Sequence, residues 1–249
     1  MTKSGNTILI TGGGSGIGRA LAEAFASAGN TVIITGRDVK KLHSVVDANP
    51  GIRSAALDVT DPSSIETFAR TIVQEFPSLN VVINNAGIMQ IEDIQAAPAN
   101  LSAAEATVAT NILGPIRLTS ALLPHLQKQA DATVAFVTSG LAFVPMAATP
   151  TYSASKSAMH AYAVALRHQL RGTSVKVMEI IPPYVQTELM GPQQAADPHA
   201  MPLADYIAET MSIIQGNPDV EEVVVERCKP LRYAVKNGNF DQIFKILNP

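Results

Sequence analysis

Apolar, β-branched runs recur along this chain at Thr7 to Thr11, Thr31 to Thr35, Val81 to Ile83, Thr133 to Thr138 and Val175 to Ile181, and a longer helix-compatible stretch follows each one. Strands that alternate with helices predict a parallel sheet. The runs are continuous rather than strictly alternating, so helices are expected on both faces, joined by right-handed crossovers. Arg53 to Leu57 is a weaker strand candidate, placed by its position between the helical stretches Asp38 to Ala48 and Pro62 to Glu75. The pattern implies an α/β class and a doubly wound, mostly parallel sheet of six or seven strands.

The length of 249 residues suits one large domain or two small ones. No internal repeat and no low-complexity linker divides the chain, so one domain over residues 1–249 is expected. The clearest break in texture is Gly191 to Pro202, rich in Pro, Gln, Ala and Asp, which reads as a mobile loop on the substrate side. Residues 203–249 read as a helical, substrate-side extension: a helix over Leu203 to Gln215, a short strand at Glu222 to Glu226, then helical pieces split at Asn237-Gly238-Asn239.

Composition removes several classes of function. Apolar residues make up 47% and charged residues 16%, enough apolar material for a buried core. The net charge of -3, with scattered Lys and Arg, gives no footprint for nucleic acid. Cys228 is the single cysteine, which forbids an intrachain disulfide and fits the reducing cytoplasm. The segment Met1 to Asn6 lacks a leader pattern and no apolar run reaches membrane-spanning length, so a soluble chain without a membrane partner is expected. His43, His125, His160, His168 and His199 show no metal-ligand spacing; they read as surface or packing residues, and no metal is expected.

The first strand runs directly into Gly12-Gly13-Gly14-Ser15-Gly16-Ile17-Gly18-Arg19, and an amphipathic helix with Leu21, Ala24, Phe25 and Ala28 on one face follows. Glycines remove the Cβ atoms that hold a backbone away from a pyrophosphate, and the helix N-terminus offers free N–H groups with positive dipole character. A tight strand-to-helix turn without a ligand is the other reading of such glycines. The spacing Gly12-x-x-x-Gly16-x-Gly18 differs from G-x-G-x-x-G. Further on come Asn84-Asn85-Ala86-Gly87 at a strand end, Asn111 in the next helix, Ser139 at the next strand end, and Tyr152-Ser153-Ala154-Ser155-Lys156. In order and spacing these motifs resemble the short-chain dehydrogenase/reductase family. That resemblance implies a Rossmann-type fold and an oxidoreductase whose cofactor lies against Gly12, Gly14, Ser15, Gly16, Ile17, Gly18, Asn85, Ala86 and Gly87.

Cofactor choice turns on Thr35-Gly36-Arg37-Asp38, at the strand end that meets the adenosine ribose in such folds. Gly36 stands where the family's NAD-dependent members carry Asp. Arg37 follows, and its guanidinium can grip a 2′-phosphate bidentately. The other reading is a solvated arginine with Asp38 capping a helix. NADP(H) is therefore favoured, with NAD(H) as the second option. By resemblance Asp58 accepts from the adenine amino group with the Val59 backbone assisting; capping the helix before Pro62 is its alternative, a job Asp61 could equally do.

Reduction of a carbonyl needs a proton donor beside the reacting oxygen, and the reverse reaction needs a base. Tyr152 and Lys156 lie four apart, on one helix face, where an ammonium favours phenolate. Free tyrosine titrates at about 10, and Lys156 is expected to lower that value. Ser139 is expected to hydrogen-bond the substrate oxygen. By resemblance Lys156 also binds the nicotinamide ribose, and Asn111 holds a water that completes a proton relay. Pro182-Pro183-Tyr184-Val185-Gln186-Thr187 aligns with the family's Pro-Gly-x-Val-x-Thr, so Pro182, Val185 and Thr187 are expected at the nicotinamide. Pro183 replaces the family glycine. With Tyr184 and Glu226-Arg227-Cys228-Lys229-Pro230-Leu231-Arg232, it resembles the branch named for the bacterial D-alanyl-teichoic-acid operon oxidoreductase.

Met89, Leu141, Ala142, Val144, Met146, Tyr184, Leu189 and Met190 are candidate pocket residues, mostly apolar, which suits an apolar carbonyl or alcohol; such residues are equally ordinary core. Family members pair through the helices carrying Asn111 and Tyr152, so the resemblance implies a homodimer or homotetramer. A non-catalytic NADP(H)-binding sensor or scaffold would use the same glycine turn. It would have no use for Ser139, Tyr152 and Lys156 together.

Overall fold

The structure, a computed structural model, describes residues 4–96 and 101–249. The first three residues, part of the segment read for a leader, lie outside the described residues. Seven parallel strands form one sheet: β1 (Thr7–Thr11), β2 (Thr31–Gly36), β3 (Ile52–Ala56), β4 (Leu79–Asn84), β5 (Ala132–Val137), β6 (Val175–Ile181) and β7 (Glu222–Val224). Their order is β3-β2-β1-β4-β5-β6-β7. The chain winds outward from β1 to one edge, then restarts at β4 on the other side, and a doubly wound sheet opens a crevice at that reversal.

Successive side chains of a strand point to opposite faces, and here both faces are covered. Ile8 and Ile10 pack with Leu21 and Phe25 of α1 (Gly16–Ser27), Leu42 and Val45 of α2 (Val39–Ala48), and Tyr206 and Met211 of α8 (Leu203–Gly216). Leu9 and Ile33 turn the other way, onto Phe68 and Ile72 of α3 (Pro62–Glu75), Leu118 and Leu122 of α5 (Gly114–Leu126), and Met159 and Ala163 of α6 (Pro150–Gln169). This double cover explains the unbroken apolar runs. Edge strand β3 is buried only at Ile52 and partly thereafter, which is why its sequence signal is weak and its observed start lies one residue before Arg53. At the other edge, β7 ends at Val224, and Glu226 opens a 3-10 turn (Glu226–Cys228) that leads into α9 (Lys229–Arg232).

Between α4 (Ser102–Val108) and α5 the helix widens into a π-turn over Ala109–Leu113 that carries Asn111. Such bulges re-aim a side chain without ending the helix. Residues 191–202, expected as a mobile loop, contain the short helix α7 (Pro192–Ala196) and are tied to the strand end: Met201 pairs with Val185, and buried Gln194 donates to the Val185 carbonyl at 2.8 Å. The terminal helix α10 (Phe240–Leu247) is anchored by Asn248, which accepts from the Ala147 N–H at 2.6 Å. Among the described residues no helix is long and apolar enough to cross a membrane.

Gly13 is required by packing rather than by any ligand. A Cβ at this position would sit 2.5 Å from Cβ and Cγ2 of Ile34 on β2. Gly13→Ala is expected to lower the unfolding free energy by about 1–3 kcal/mol, the usual cost of overpacking. Gly51→Ala, with nothing within 4 Å, should change it by less than about 1 kcal/mol. Urea melts of both variants test this, and equal midpoints would contradict it.

Candidate active site

The glycine turn is held open by a clasp between the ends of β1 and β4. Thr11 Oγ1 accepts from the backbone N–H groups of Asn85 and Ala86, both at 3.0 Å, while Asn85 Nδ2 donates to the carbonyls of Thr11 at 2.8 Å and Gly12 at 3.3 Å. A Cβ on Gly18 would stand 2.3 Å from Asn85 Nδ2, so this position admits only glycine. Gly12 and Gly16 have φ of 68° and 53°, the left-handed region that glycine enters without strain. At Ser15, the N-cap of α1, no side chain caps the helix, which leaves its first N–H groups facing the cleft. A cradle without Cβ atoms and an uncapped helix start fit a pyrophosphate.

The cleft has a volume of about 560 Å³ and runs from the β2 end past the turn to the β5 end. At the β2 end it is lined by Thr35, Gly36, Arg37 and Lys41, with Leu57, Val59 and Thr60 from the β3 end. Asp38 caps α2 by accepting from the Lys41 N–H at 3.1 Å. Asp61 caps α3, accepting from Ser63 N–H at 2.9 Å, so Asp58 is not the cap. Instead the Asp58 carboxylate accepts from Thr60 Oγ1 at 2.7 Å and Thr60 N–H at 2.9 Å; these bonds, and the nearby Arg37 charge, hold it below the usual carboxylate range.

At the β5 end, Tyr152 and Lys156 line the cleft and are both buried. The Ser139 side chain lies beside the phenol, and its Oγ accepts from the Leu141 N–H at 3.1 Å. Burial outweighs the opposing effect of Ser139 and pushes the phenol up to about 12, opposite to the depression expected from Lys156. The Lys156 ammonium lies 5.4 Å from the phenol ring centroid and donates to the Val137 carbonyl at 2.8 Å. Burial lowers Lys156 to about 8, and the charge of Glu179 opposes the fall. Asn111 sits behind the pair, with Oδ1 accepting from Ile88 N–H and Nδ2 donating to the Ile88 carbonyl, each at 2.9 Å. Its Nδ2 also reaches Ser155 Oγ at 3.1 Å.

A sequence model of the family described as short chain dehydrogenase matches residues 6–198. The chain belongs to the short-chain dehydrogenase family. It is 37% identical over 251 residues to the Bacillus subtilis (strain 168) protein called uncharacterized oxidoreductase DltE, covering 100% of this chain and 98% of that one, which places it in the DltE-like branch. A Burkholderia cenocepacia J2315 short chain dehydrogenase solved in complex with NADP superposes with a TM-score of 0.83 at 21% identity, covering 100% of both chains. A Burkholderia phymatum short chain dehydrogenase/reductase solved in complex with NAD gives a TM-score of 0.83 at 21% identity, covering 100% of this chain and 97% of that chain. These two likenesses establish the fold.

In this short-chain dehydrogenase the cleft gathers Gly12, Ser15, Gly16, Ile17, Gly18, Arg37, Val59, Asn85, Ala86, Gly87, Met89, Tyr152, Lys156, Pro182, Thr187 and Leu189. Gly14 faces a neighbouring groove beside Arg19 and Lys40 instead. Val185 is buried in the core with its carbonyl taken by Gln194, and Val144 is fully buried, which leaves neither side chain free to line a pocket. Leu141, Ala142, Met146, Tyr184 and Met190 lie outside the cleft lining; the Tyr184 hydroxyl donates to Asp197 at 3.1 Å. Sequence reading missed Lys41, whose signal was a second cation one helical turn beyond Arg37, and Glu179, hidden inside an apolar strand. It also missed His160, read as surface or packing, which bonds Glu179 at 2.8 Å.

Lys156 binds fewer protons in the folded chain than in the unfolded one between about 8 and its ordinary 10.5, so its contribution to stability rises with pH across that window. Holding a buried ammonium below pH 8 is the cost of the site. Relative to Lys156→Met, the wild-type protein is expected to gain up to about 3 kcal/mol of unfolding free energy between pH 7 and pH 10. Denaturant melts of both proteins at the two pH values measure it; a constant difference would contradict it.

Proposed function

We propose that this short-chain dehydrogenase interconverts a carbonyl and an alcohol with NADP(H), using Tyr152 as the proton-transferring residue. The observation that carries the reading is the buried Tyr152 phenol with the Lys156 ammonium 5.4 Å from its ring and Ser139 beside it, at the end of a cleft that starts on an uncapped glycine turn. When bound, the nicotinamide cofactor supplies or accepts the hydride. The chain's own residues handle the proton. Ser139 is placed to hydrogen-bond the substrate oxygen, and the Tyr152 phenol donates its proton to that oxygen in reduction or recovers one in oxidation. A phenol at about 12 suits the donor role as it stands; the basic role needs added positive charge beside it, from Lys156 and from the oxidised nicotinamide. Asn111, committed at both ends to Ile88, fixes the backbone next to Gly87 and the ammonium.

The preference for NADP(H) rests on Arg37 and Lys41 at the β2 end together with the missing carboxylate at Gly36. NAD(H) is the second cofactor to assay, and the two solved neighbours carry one of each. Ile88, Met89 and Leu189 give the mouth of the cleft an apolar lining that suits an apolar small-molecule substrate. A cytoplasmic setting fits the single, buried thiol of Cys228, and a homodimer or homotetramer completes the reading.

NADPH oxidation over a panel of carbonyl compounds is the test. Tyr152→Phe should lower turnover by about 10²-fold to 10⁴-fold while leaving NADPH affinity within a few-fold. Retained turnover would sink the assignment. Arg37→Ala should raise KM for NADPH by at least about tenfold, the loss of a charge-assisted contact, with little effect on NADH. An unchanged cofactor ratio would overturn the NADP preference.

A further inference from the structure

Glu179 on β6 is the one carboxylate among the described residues that is completely buried, and burying a carboxylate is costly unless other groups hold it. Two groups do. Thr138, the residue before Ser139, donates its hydroxyl to Oε1 at 2.7 Å. His160, one helical turn after Lys156 on α6, contacts Oε2 through Nδ1 at 2.8 Å. The carboxylate thus has one oxygen on the strand end that carries Ser139 and the other on the helix that carries Tyr152 and Lys156.

The neighbourhood is built to keep it there. The Phe143 ring meets the His160 ring edge-on with centroids 4.8 Å apart, and the Arg232 guanidinium stacks on Phe143 at 4.4 Å. Arg232 in turn grips both oxygens of Glu222 at 2.8 Å. His160, Glu179 and Glu222 each bring a ligand atom within 4.8 Å of the others, but Glu222 is spent on Arg232 and Glu179 on Thr138 and His160. The groups that face Glu179 are His160 and Lys156 from α6, Cys228 and Arg232 from the C-terminal segment, and Glu222 from β7.

We propose that Glu179 is a positioning residue for this site: it ties the Ser139 strand end to the Tyr152–Lys156 helix and supplies the buried counter-charge to the Lys156 ammonium. This rests on the oxidoreductase reading above for its consequence in catalysis, but not for its direct readout. The Lys156 ammonium donates to the Val137 carbonyl while Glu179 is held by the next residue, Thr138, and by His160 one turn along the same helix, so the carboxylate charge lies beside the ammonium and opposes the pull of burial; without it the lysine loses protons nearer neutrality. A neutral Lys156 no longer offers the charge that favours phenolate.

The test uses the full chain without cofactor. The Lys156 side chain is titrated by NMR, its signal assigned with Lys156→Arg, in wild type and in Glu179→Gln. The expected result is a midpoint near 8 in wild type and about one unit or more lower in the folded variant. In the carbonyl assay, the acid limb of kcat for alcohol oxidation should change its midpoint in the same variant, whereas a purely structural role would lower kcat equally at every pH. Glu179→Asp keeps the charge but retracts it from Thr138 and His160, and a partial fall in the Lys156 midpoint is expected. A midpoint unchanged in either folded variant overturns the proposal, as does failure of both variants to fold. If no carbonyl compound is turned over by wild type while the Lys156 midpoint still falls in Glu179→Gln, the oxidoreductase reading fails and the positioning of Lys156 stands.

Discussion

Everything in this molecule depends on the strands being parallel. Seven strands pointing the same way bring seven carboxyl ends to one edge of the sheet, and each crossover helix carries the chain back so that the next strand can arrive there. The glycine turn leaves β1, Arg37 leaves β2, Val59 follows β3, Asn85 leaves β4, Ser139 follows β5 and Pro182 follows β6. Residues spread over most of the chain therefore meet in one cleft without any of them being near another in sequence. The Thr11–Asn85 clasp closes the gap at the reversal between β1 and β4, where no loop of its own would do so.

Burial sets the chemistry at the far end of that cleft. The same desolvation that pushes the Tyr152 phenol up pulls the Lys156 ammonium down, so both are biased toward their neutral forms. The nearby Ser139 hydroxyl and the Glu179 charge act against those shifts, one on each partner. In the proposed reaction a phenol held this way is a ready proton donor and a base only after positive charge is added. The site spends stability to stand in this condition, since Lys156 is more easily accommodated unprotonated.

Much of this was legible beforehand because strands covered on both faces must be apolar throughout. β1 and β6 stand where their apolar runs lie, and α3 begins at Pro62 behind its Asp61 cap. Tyr152, Lys156 and the glycine turn stood out by residue type and spacing, and the structure brings them to one cleft; the chemistry assigned to them is the proposal above. Val144 and Val185 are buried in the structure, and an apolar residue beside a site and an apolar residue beneath it look alike in sequence. Glu179 and His160 were invisible for a different reason. They lie nineteen positions apart, and only the packing of α6 on β6 brings them together.

The central claim is that Tyr152 is the proton-transferring group and that burial keeps it a phenol until positive charge is bound beside it. It can be measured directly by carbon-13 NMR of ring-labelled tyrosine, with Tyr152→Phe to assign the signal, titrated with and without saturating NADP⁺. The account predicts a Tyr152 signal that remains that of a phenol through pH 10 in the free protein and turns to phenolate at lower pH once NADP⁺ is bound. A Tyr152 titration that ignores the cofactor, or one already ionised near neutrality without it, would contradict the account.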